Sequence, residues 1–446
     1  MCLNSYAQEA QSSPGASDLP LPSPLTLEFV LSNISDAHPV VQSAQAQLEY
    51  QQALQQQVDA ESGIDVSIKA EARYIEPPRI APDQDNNDSR ISLLFNKRLY
   101  DFGRSSAAND AAASEVQSSE LKLVQARNQY QIDLMAAFFD VLLADLTYIR
   151  ENEALATSFI RYDRLRMRRD LGQHSDIEVL EAEKDYQAVR VRLYRSQALQ
   201  QSTRNHLANM MNRPNELMAE VAEPKLAHIE QKFSDVEQLY KEALDNNPYL
   251  NALRRQVEAS ENRLKSARAG SRPVLNGRLA VSDYAREMGS YNDYEASLIL
   301  DVPLWSGGAV QANVAKQLAS LKEVQSRLRN AEMDLHQSVL EAWQRLDVLR
   351  IERQEAKSMI NYRDLYLDRS RALYEMEVKT DLGDSMVQVS DARLKQAQAK
   401  FKTALALARL NALLGRPVYS NDNAITPSHP ENPDEKENGK EQSNAE

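Results

Sequence analysis

The side chains of this sequence that could do chemistry are carboxylates and histidines, and their spacing does not assemble a catalytic site. The chain has 446 residues with six histidines and one cysteine. The histidines fall in different segments without the spacing of metal ligands, and no nucleophile-elbow, dinucleotide, phosphate-loop or zinc-protease motif occurs in the sequence. Acid pairs such as Glu181 and Glu183 fit solvated helix faces. We therefore predict no enzymatic activity, no metal and no cofactor.

Two aspartates have a more informative spacing, because Asp381 and Asp384 share one face if their segment is helical. They lie where one long helical segment must reverse, and Ser175 and Asp176 lie at the corresponding reversal earlier in the chain. Ser175-Asp176 and Thr380-Asp381 resemble the caps of returning helices. Capping alone would explain these residues, so a structural role and a role for the charge itself both remain open.

Composition and charge exclude several classes of protein. The net charge is −13 and the pI is about 5.2, which argues against nucleic acid as a partner because phosphate binding needs a basic stripe. The most apolar stretch, residues 135–146, is too short for a transmembrane helix and contains two aspartates. A single cysteine cannot form a disulfide within one chain.

The two ends of the chain differ from its middle. We interpret residues 1–24 as the remnant of a signal peptide followed by an extended arm, with small residues before a cleavage point. A lipid on Cys2 is the alternative, although the usual preceding motif is absent. Residues 418–446 are polar and acidic and are predicted to be a disordered tail.

Between these ends the chain repeats its layout. A first structural repeat at 25–214 and a second at 236–417 flank a linker at 215–235. Each repeat is predicted to contain a helix with proline near its start, two strands, a very long helix and a returning helix. An internal duplication of this kind decides the fold before any local detail.

Each repeat supplies one predicted β-hairpin. Residues 65–74 and 294–303 alternate apolar and polar side chains, and about ten residues is the length that a tilted strand needs to cross a bilayer. The side chains predicted to face lipid are Val66, Ile68, Tyr74, Leu298, Leu300 and Val302. A half-buried sheet packed on a helix in a soluble protein would give the same alternation, so strands alone leave both interpretations open.

The long helices favour an elongated assembly. Residues 104–170, and those from Gly308 to about Met376, contain no internal glycine or proline, and apolar residues recur in both at strict spacings of seven. Helices of about 100 Å at 1.5 Å per residue must pack sideways in a long bundle or tube.

One element recurs at the passage from strand to long helix. Tyr100 and Gly103 in the first repeat correspond to Trp305 and Gly308 in the second, where Gly307 precedes the second glycine. Glycine allows the backbone to turn from strand into helix. If the strands cross a membrane, Tyr100 and Trp305 lie where aromatic side chains favour the interface with water.

The duplicated chain, two strands per repeat, Asn247-Pro248 at the start of a helix and the leucine-aromatic-glycine turn resemble the TolC-type outer-membrane channel family. The first repeat departs from this pattern with His38-Pro39. The resemblance implies a mainly α fold with a β-hairpin pair per chain. It further implies a duplicated coiled-coil tunnel and a 12-stranded transmembrane β-barrel shared by a trimer.

The resemblance also implies a gate at the periplasmic tips of the helices. Asp381 and Asp384 match aspartates that narrow the tunnel, and Tyr374 with Asp176 matches a lock between hairpins. Val378 and Gly383 depart from the family pattern at this tip.

The predicted function is that of a passive outer-membrane duct in a Gram-negative bacterium. It would export small molecules or secreted proteins with a periplasmic adaptor and an inner-membrane transporter as partners and outer-membrane lipid around the barrel. A soluble periplasmic coiled-coil scaffold or adaptor is the alternative. Open sheet edges are not tolerated in hydrocarbon, so a membrane role requires several copies to share one barrel.

Overall fold

The computed structural model describes residues 20–419 except 215, 217–219, 232, 234, 287–290, 377 and 379–380. Cys2, most of the predicted arm, Thr380 and most of the predicted acidic tail lie outside the described residues. The helices are α1 Leu27–Ser32, α2 Pro39–Glu61, α3 Arg104–Asp170, α4 Asp176–Met210, α5 Val236–Asn246, α6 Pro248–Arg268, α7 Ala309–Glu375 and α8 Leu382–Leu413. The strands are β1 Ile64–Glu71, β2 Arg90–Tyr100, β3 Val274–Tyr284 and β4 Tyr294–Asp301. The prediction of a mainly α fold with two β-hairpins is confirmed.

The two longest helices, α3 and α7, have 67 residues each, or about 100 Å at 1.5 Å per residue. Both begin after a glycine in the left-handed region, with φ of 86° at Gly103 and 85° at Gly308. A side chain at that φ would be strained, so glycine fixes where each helix starts.

The far ends of α3 and α7 stop in the same way. After α3, the N–H of Gln173 donates to the Arg168 carbonyl at 3.0 Å, and Gly172 has a φ of 70°. After α7, the N–H of Val378 donates to the Leu373 carbonyl at 3.0 Å. These bonds satisfy last-turn carbonyls that otherwise lack partners, and they allow α4 and α8 to return alongside.

The four strands form one antiparallel sheet in the order β1-β2-β3-β4. Its register collects apolar side chains on one face, because residues directly opposite each other point the same way. That face carries Ile64, Val66, Ile68, Ala70, Ile91, Leu93, Phe95, Leu275, Leu279, Val281, Tyr294, Ala296, Leu298 and Leu300, with Lys97 and Asp283 near its two ends. The opposite face carries mainly charged and hydroxyl side chains, among them Asp65, Lys69, Glu71, Arg90, Arg278 and Glu295.

The edge strands are shorter than the sequence pattern predicts. β1 ends at Glu71, and Tyr74 makes only an isolated bridge to Asn87. β4 ends at Asp301, so Val302 lies beyond it. Pro303 has no N–H to continue a ladder, which explains the end of β4.

The buried core belongs to the helices. The largest cluster joins α1, α3, α4 and α8, where the rings of Phe139 and Phe401 stack with centroids 4.6 Å apart. A second cluster joins α5, α6, α7 and α8, and a third joins α2 and α3. The apolar face of the sheet has no such cover, since Ile68 is 71% and Leu298 73% exposed. The interpretation as a soluble sheet packed on a helix therefore does not fit this chain.

The heptad positions face this core. The α3 positions Val116, Leu123, Tyr130, Ala137 and Ala144 are buried, as are Leu321, Leu335, Leu349 and Ala356 of α7. Across the described helices, none combines the length and the apolar character needed to span a bilayer.

Candidate channel gate and membrane surface

The turn between α3 and α4 is capped as the sequence predicts. The Ser175 hydroxyl accepts from the N–H of Glu178 at 3.4 Å, and the Glu178 carboxylate accepts from the N–H of Ser175 at 2.8 Å. Hydrogen bonds to the Glu178 carboxylate from the Ser175 N–H, the Ser175 hydroxyl and His174 lower the pKa of Glu178. Asp176 follows as the first residue of α4, exposed and 3.6 Å from Arg169 of the same turn. In this turn a capping box, with a carboxylate at the helix start, explains the local residues.

The turn between α7 and α8 is built differently. Asp381 occupies the cap position of α8, but its side chain makes no capping bond to the helix. Its Oδ2 accepts instead from the hydroxyl of Tyr366 on α7 at 3.2 Å. Its Oδ1 is buried and has no hydrogen-bond partner within the described residues. The carboxylate that the sequence marks as a gate residue is thus held by a tyrosine on the neighbouring helix.

Asp384, the second predicted gate residue, pairs with a residue of the other helical hairpin, which α3 and α4 form. Its Oδ2 lies 3.0 Å from a guanidinium nitrogen of Arg161 on α3. Both side chains are about half exposed, so the pair is screened and contributes little to stability. Its consequence is electrostatic, because Arg161 offsets part of the negative charge at this tip.

Gly383 explains how α8 comes this close to α3. A Cβ placed on Gly383 would lie 2.9 Å from the hydroxyl oxygen of Thr157, closer than a carbon can approach without displacement. This contact supplies a physical reason for a glycine inside α8. The departure of this chain from the family pattern is therefore a close packing contact between its two hairpins.

The contact between α3 and α8 continues away from the tip. Glu153 accepts a hydrogen bond from Ser390, and Arg150 contacts Asp391 at 3.1 Å. Burial alone would raise the pKa of Asp391, but hydrogen bonds from Lys395 and Arg150 outweigh it and lower that pKa. Polar pairs thus fix the register of α8 along α3.

The predicted lock is not formed inside one chain. No hydrogen bond joins Tyr374 to Asp176 within the described residues, and Tyr374 is exposed near the end of α7. Sequence analysis missed Tyr366 and Arg161. Tyr366 could have been found by counting back from the turn, because α7 and α8 run antiparallel; Arg161 has no comparable signal.

The two passages from strand to long helix, β2 to α3 and β4 to α7, are stabilised by different contacts. At the first, Asp101 is buried and accepts from the N–H of Ser105 at 2.9 Å, while Arg272 donates to the Phe102 carbonyl at 3.0 Å. A one-residue bulge before Tyr100 places that ring on the apolar face of the sheet.

At the second passage, Leu304 and Trp305 are 93% and 88% exposed. Gly307 and Gly308 both have positive φ, 62° and 85°. Two large apolar side chains thus project into solvent between β4 and α7, and Tyr100 at the corresponding position of the first repeat is exposed as well.

The predicted lipid-facing residues are all exposed in the single chain. They are Val66, Ile68, Tyr74, Leu298, Leu300 and Val302. The four that lie within strands share the apolar face of the sheet. Among the described residues, no group of three or more histidine, cysteine, aspartate or glutamate side chains could hold a metal ion.

The fold of this chain is similar to that of several bacterial outer-membrane proteins and channels of known structure. VceC, an outer membrane protein of Vibrio cholerae, is similar with a TM-score of 0.69 and 17% identity, over 88% of this chain and 97% of that one. The CmeC outer membrane channel of Campylobacter jejuni gives 0.72 and 13%, over 89% and 87%. The open MtrE outer membrane channel of Neisseria gonorrhoeae gives 0.63 and 16%, over 88% and 89%.

The sequence comparison adds a family to this fold. Residues 239–416 match the outer membrane efflux protein family, and the predicted resemblance to TolC-type channels is confirmed. Among curated proteins, none matches the chain. The matched family and structures are channels rather than enzymes, and nothing in them indicates catalysis.

Proposed function

We propose that this protein is an outer-membrane channel of a tripartite export system in a Gram-negative bacterium. The observation that carries the proposal is the uncovered apolar face of the sheet, attached to helices long enough to reach far into the periplasm. The apolar face would contact lipid, and the opposite, charged face would line a water-filled passage.

The sheet edges support a shared barrel. β1 and β4 are the edge strands, and unpaired backbone groups at an edge are too costly in hydrocarbon. Pairing β4 of one copy with β1 of the next closes the ring, and three copies with four strands each give twelve strands. The long helices of the three copies would then continue the barrel as a tunnel.

A duct of this kind needs partners to energise it. The proposed partners are a periplasmic adaptor and an inner-membrane transporter, and the cargo is either small molecules or secreted polypeptides. The alternative of a soluble periplasmic scaffold or adaptor is not supported, since it gives no role to the apolar face of the sheet.

The membrane role is tested by placing a charge on either face of β1. Ile68→Lys puts a cation on the proposed lipid face, and Ser67→Lys puts the same cation on the opposite face. A lysine facing lipid near the bilayer middle costs about 2–4 kcal/mol. We expect Ile68→Lys to reduce recovery in the outer-membrane fraction severalfold, while Ser67→Lys is recovered normally. Equal recovery of both variants, or recovery of the native chain in the soluble fraction without detergent, would reject the proposal.

Within this channel, Asp381 and Asp384 are proposed to form the periplasmic gate, with Tyr374 and Asp176 as a lock between copies. Threefold repetition of these carboxylates would make a negative ring that attracts cations. Because Arg161 pairs with Asp384 at 3.0 Å, it would moderate that ring.

Single-channel recording tests the gate. Asp381→Ala with Asp384→Ala should weaken cation selectivity and block by divalent cations, and Arg161→Ala should strengthen the block. Asp368→Ala removes an exposed carboxylate from the same hairpin and is the control. Unchanged block in the double variant would remove these aspartates from the gate.

A further inference from the structure

A cluster of polar side chains lies at the end of the sheet opposite to the helices. Residues 72–89 connect β1 to β2 there, and Ala285, Arg286 and Tyr291 lie in the connection from β3 to β4. The two connections belong to different repeats, and neither contributes to the gate. In the proposed channel this end faces outward from the cell.

Asp88 is the centre of the cluster. Its side chain is 2% exposed. Arg73 donates from Nε to Oδ2 at 2.6 Å, and the hydroxyl of Tyr291 donates to Oδ1 at 2.6 Å. Oδ2 of this buried carboxylate thus accepts from Arg73 of the same connection, and Oδ1 accepts from Tyr291 of the second repeat.

Further contacts join the same two connections. Arg286 is buried, donates to the Asp83 carbonyl and lies 3.5 Å from the Asp83 carboxylate. The ring of Tyr291 stacks on Tyr284 with centroids 4.4 Å apart. The N–H of Ala285 donates to the Ser89 carbonyl at 2.9 Å. The contacts of Arg286 and Ala285 join one connection to the other, whereas the stacking of Tyr291 on Tyr284 lies within the second repeat and positions the tyrosine that donates to Asp88.

The charge of Asp88 is stable in this setting. The hydrogen bonds from Tyr291 and Arg73 lower the pKa of Asp88, and the bond to Asp88 raises the pKa of Tyr291. The carboxylate therefore stays ionised and the phenol stays protonated at neutral pH. Loss of Arg73 would leave a buried charge without its ion-pair partner, and loss of Tyr291 would leave Oδ1 of Asp88 without a donor.

We propose that Asp88 fastens residues 72–89 to Ala285, Arg286 and Tyr291 as one rigid unit, which fixes the width of the outer opening of the channel. The claim about the width of the opening rests on the proposed function. The fastening itself is a property of the single chain and can be measured separately.

Hydrogen exchange followed by mass spectrometry, on the full protein in detergent, tests the fastening. Asp88→Asn keeps the side-chain size but removes the charge that Arg73 contacts. The amides of Ile75 and Ala285, which donate to the Asn86 and Ser89 carbonyls, should then exchange about tenfold faster or more, because release of the cluster lets these hydrogen bonds open. Glu76→Gln removes an exposed carboxylate from the same connection and should leave exchange unchanged. Equal exchange in Asp88→Asn and native protein would overturn the proposal.

Conductance in planar bilayers tests the consequence. With the unit released, Asp88→Asn should show a larger and noisier single-channel conductance than native protein, and Glu76→Gln should not. Faster exchange with native conductance would overturn the claim that the unit fixes the opening. Absence of channels from native protein, with the exchange result intact, would instead reject the proposed function.

Discussion

The residue before the helix-starting proline differs between the two repeats: it is Asn247 before α6 and His38 before α2. Asn247 makes two bonds. Its Oδ1 accepts from the N–H of Leu250 at 3.0 Å, and its amide donates to the carbonyl of Leu413, the last residue of α8, at 3.0 Å. His38 makes no capping bond, and its Nδ1 is buried without a partner in the described part of the chain.

The equivalent carbonyl in the first repeat is satisfied from another helix. Met210 ends α4 as Leu413 ends α8, and its carbonyl accepts from the hydroxyl of Tyr130 on α3. The Tyr130 ring stacks on His38 with centroids 4.3 Å apart. Burial raises the pKa of Tyr130 to about 12, so the phenol remains a donor.

The second repeat has Leu335 where the first has Tyr130 in the heptad pattern. The two repeats therefore exchange roles at two positions: asparagine with leucine in one, histidine with tyrosine in the other. Each pair meets the same requirement, because a buried carbonyl without a donor is costly. The departure from Asn-Pro in the first repeat is therefore one half of a coupled change.

The largest expected effect is at Tyr130. Tyr130→Leu leaves the Met210 carbonyl without its donor and removes the stacked ring, and together these should cost about 2–4 kcal/mol. Tyr130→Phe keeps the ring and should lose roughly 1–2 kcal/mol. Thermal unfolding at fixed protein and detergent concentration measures both losses. A native melting temperature for Tyr130→Leu would show that Tyr130 is not needed as the donor to the Met210 carbonyl.

The next effect is a rescue. His38→Asn combined with Tyr130→Leu recreates the asparagine-leucine pair of the second repeat, so the introduced asparagine amide can donate to the Met210 carbonyl. We expect the double variant to be more stable than Tyr130→Leu alone, with a coupling energy of about 1 kcal/mol or more. Simple additivity of the two single variants would show that the positions are independent.

A smaller effect distinguishes the two passages from strand to helix. Asp101→Asn weakens the bonds to Ser105 that brace the first passage and should cost about 1–2 kcal/mol. Asp301 ends β4 at the second passage, where it is exposed and accepts from Asn276 at 3.0 Å. Asp301→Asn should therefore change stability by less than about 0.5 kcal/mol. Equal losses in urea unfolding would mean that the passages are supported alike.

The smallest effect is a pH dependence from His38. Burial lowers the pKa of His38 from its ordinary value of 6.5. Below pH 6.5 the unfolded chain binds a proton that the folded chain resists, so the free energy of unfolding falls as pH falls toward the lowered pKa. The His38→Asn variant should lose this part of the pH dependence, as measured by melting temperature between pH 7.5 and 5. An unchanged profile would place His38 in an exposed environment.

Local patterns predicted much of the fold. Alternation located the strands, heptads located the buried stripe of α3 and α7, and glycines located the starts of both long helices. The ends of β1 and β4 were predicted too far along, because alternation does not reveal where a strand loses its neighbour. These successes concern residues whose partners lie nearby or follow a period.

The site was less accessible to sequence reasoning. Asp384 meets Arg161, and Gly383 meets Thr157, only because two hairpins from different repeats pack together. The sequence also does not show that the Asp381 carboxylate accepts from Tyr366 on α7 instead of capping α8. Contacts between residues so far apart in sequence have no periodic signature, and one sequence cannot reveal them.

The mass of the folded protein in detergent shows directly whether copies of this chain share one barrel through their edge strands. Native mass spectrometry should find three copies, and the assembly should resist dissociation until the sheet unfolds. A stable, fully folded single copy, with its sheet intact and both edges free, would show that the edge strands do not pair between copies.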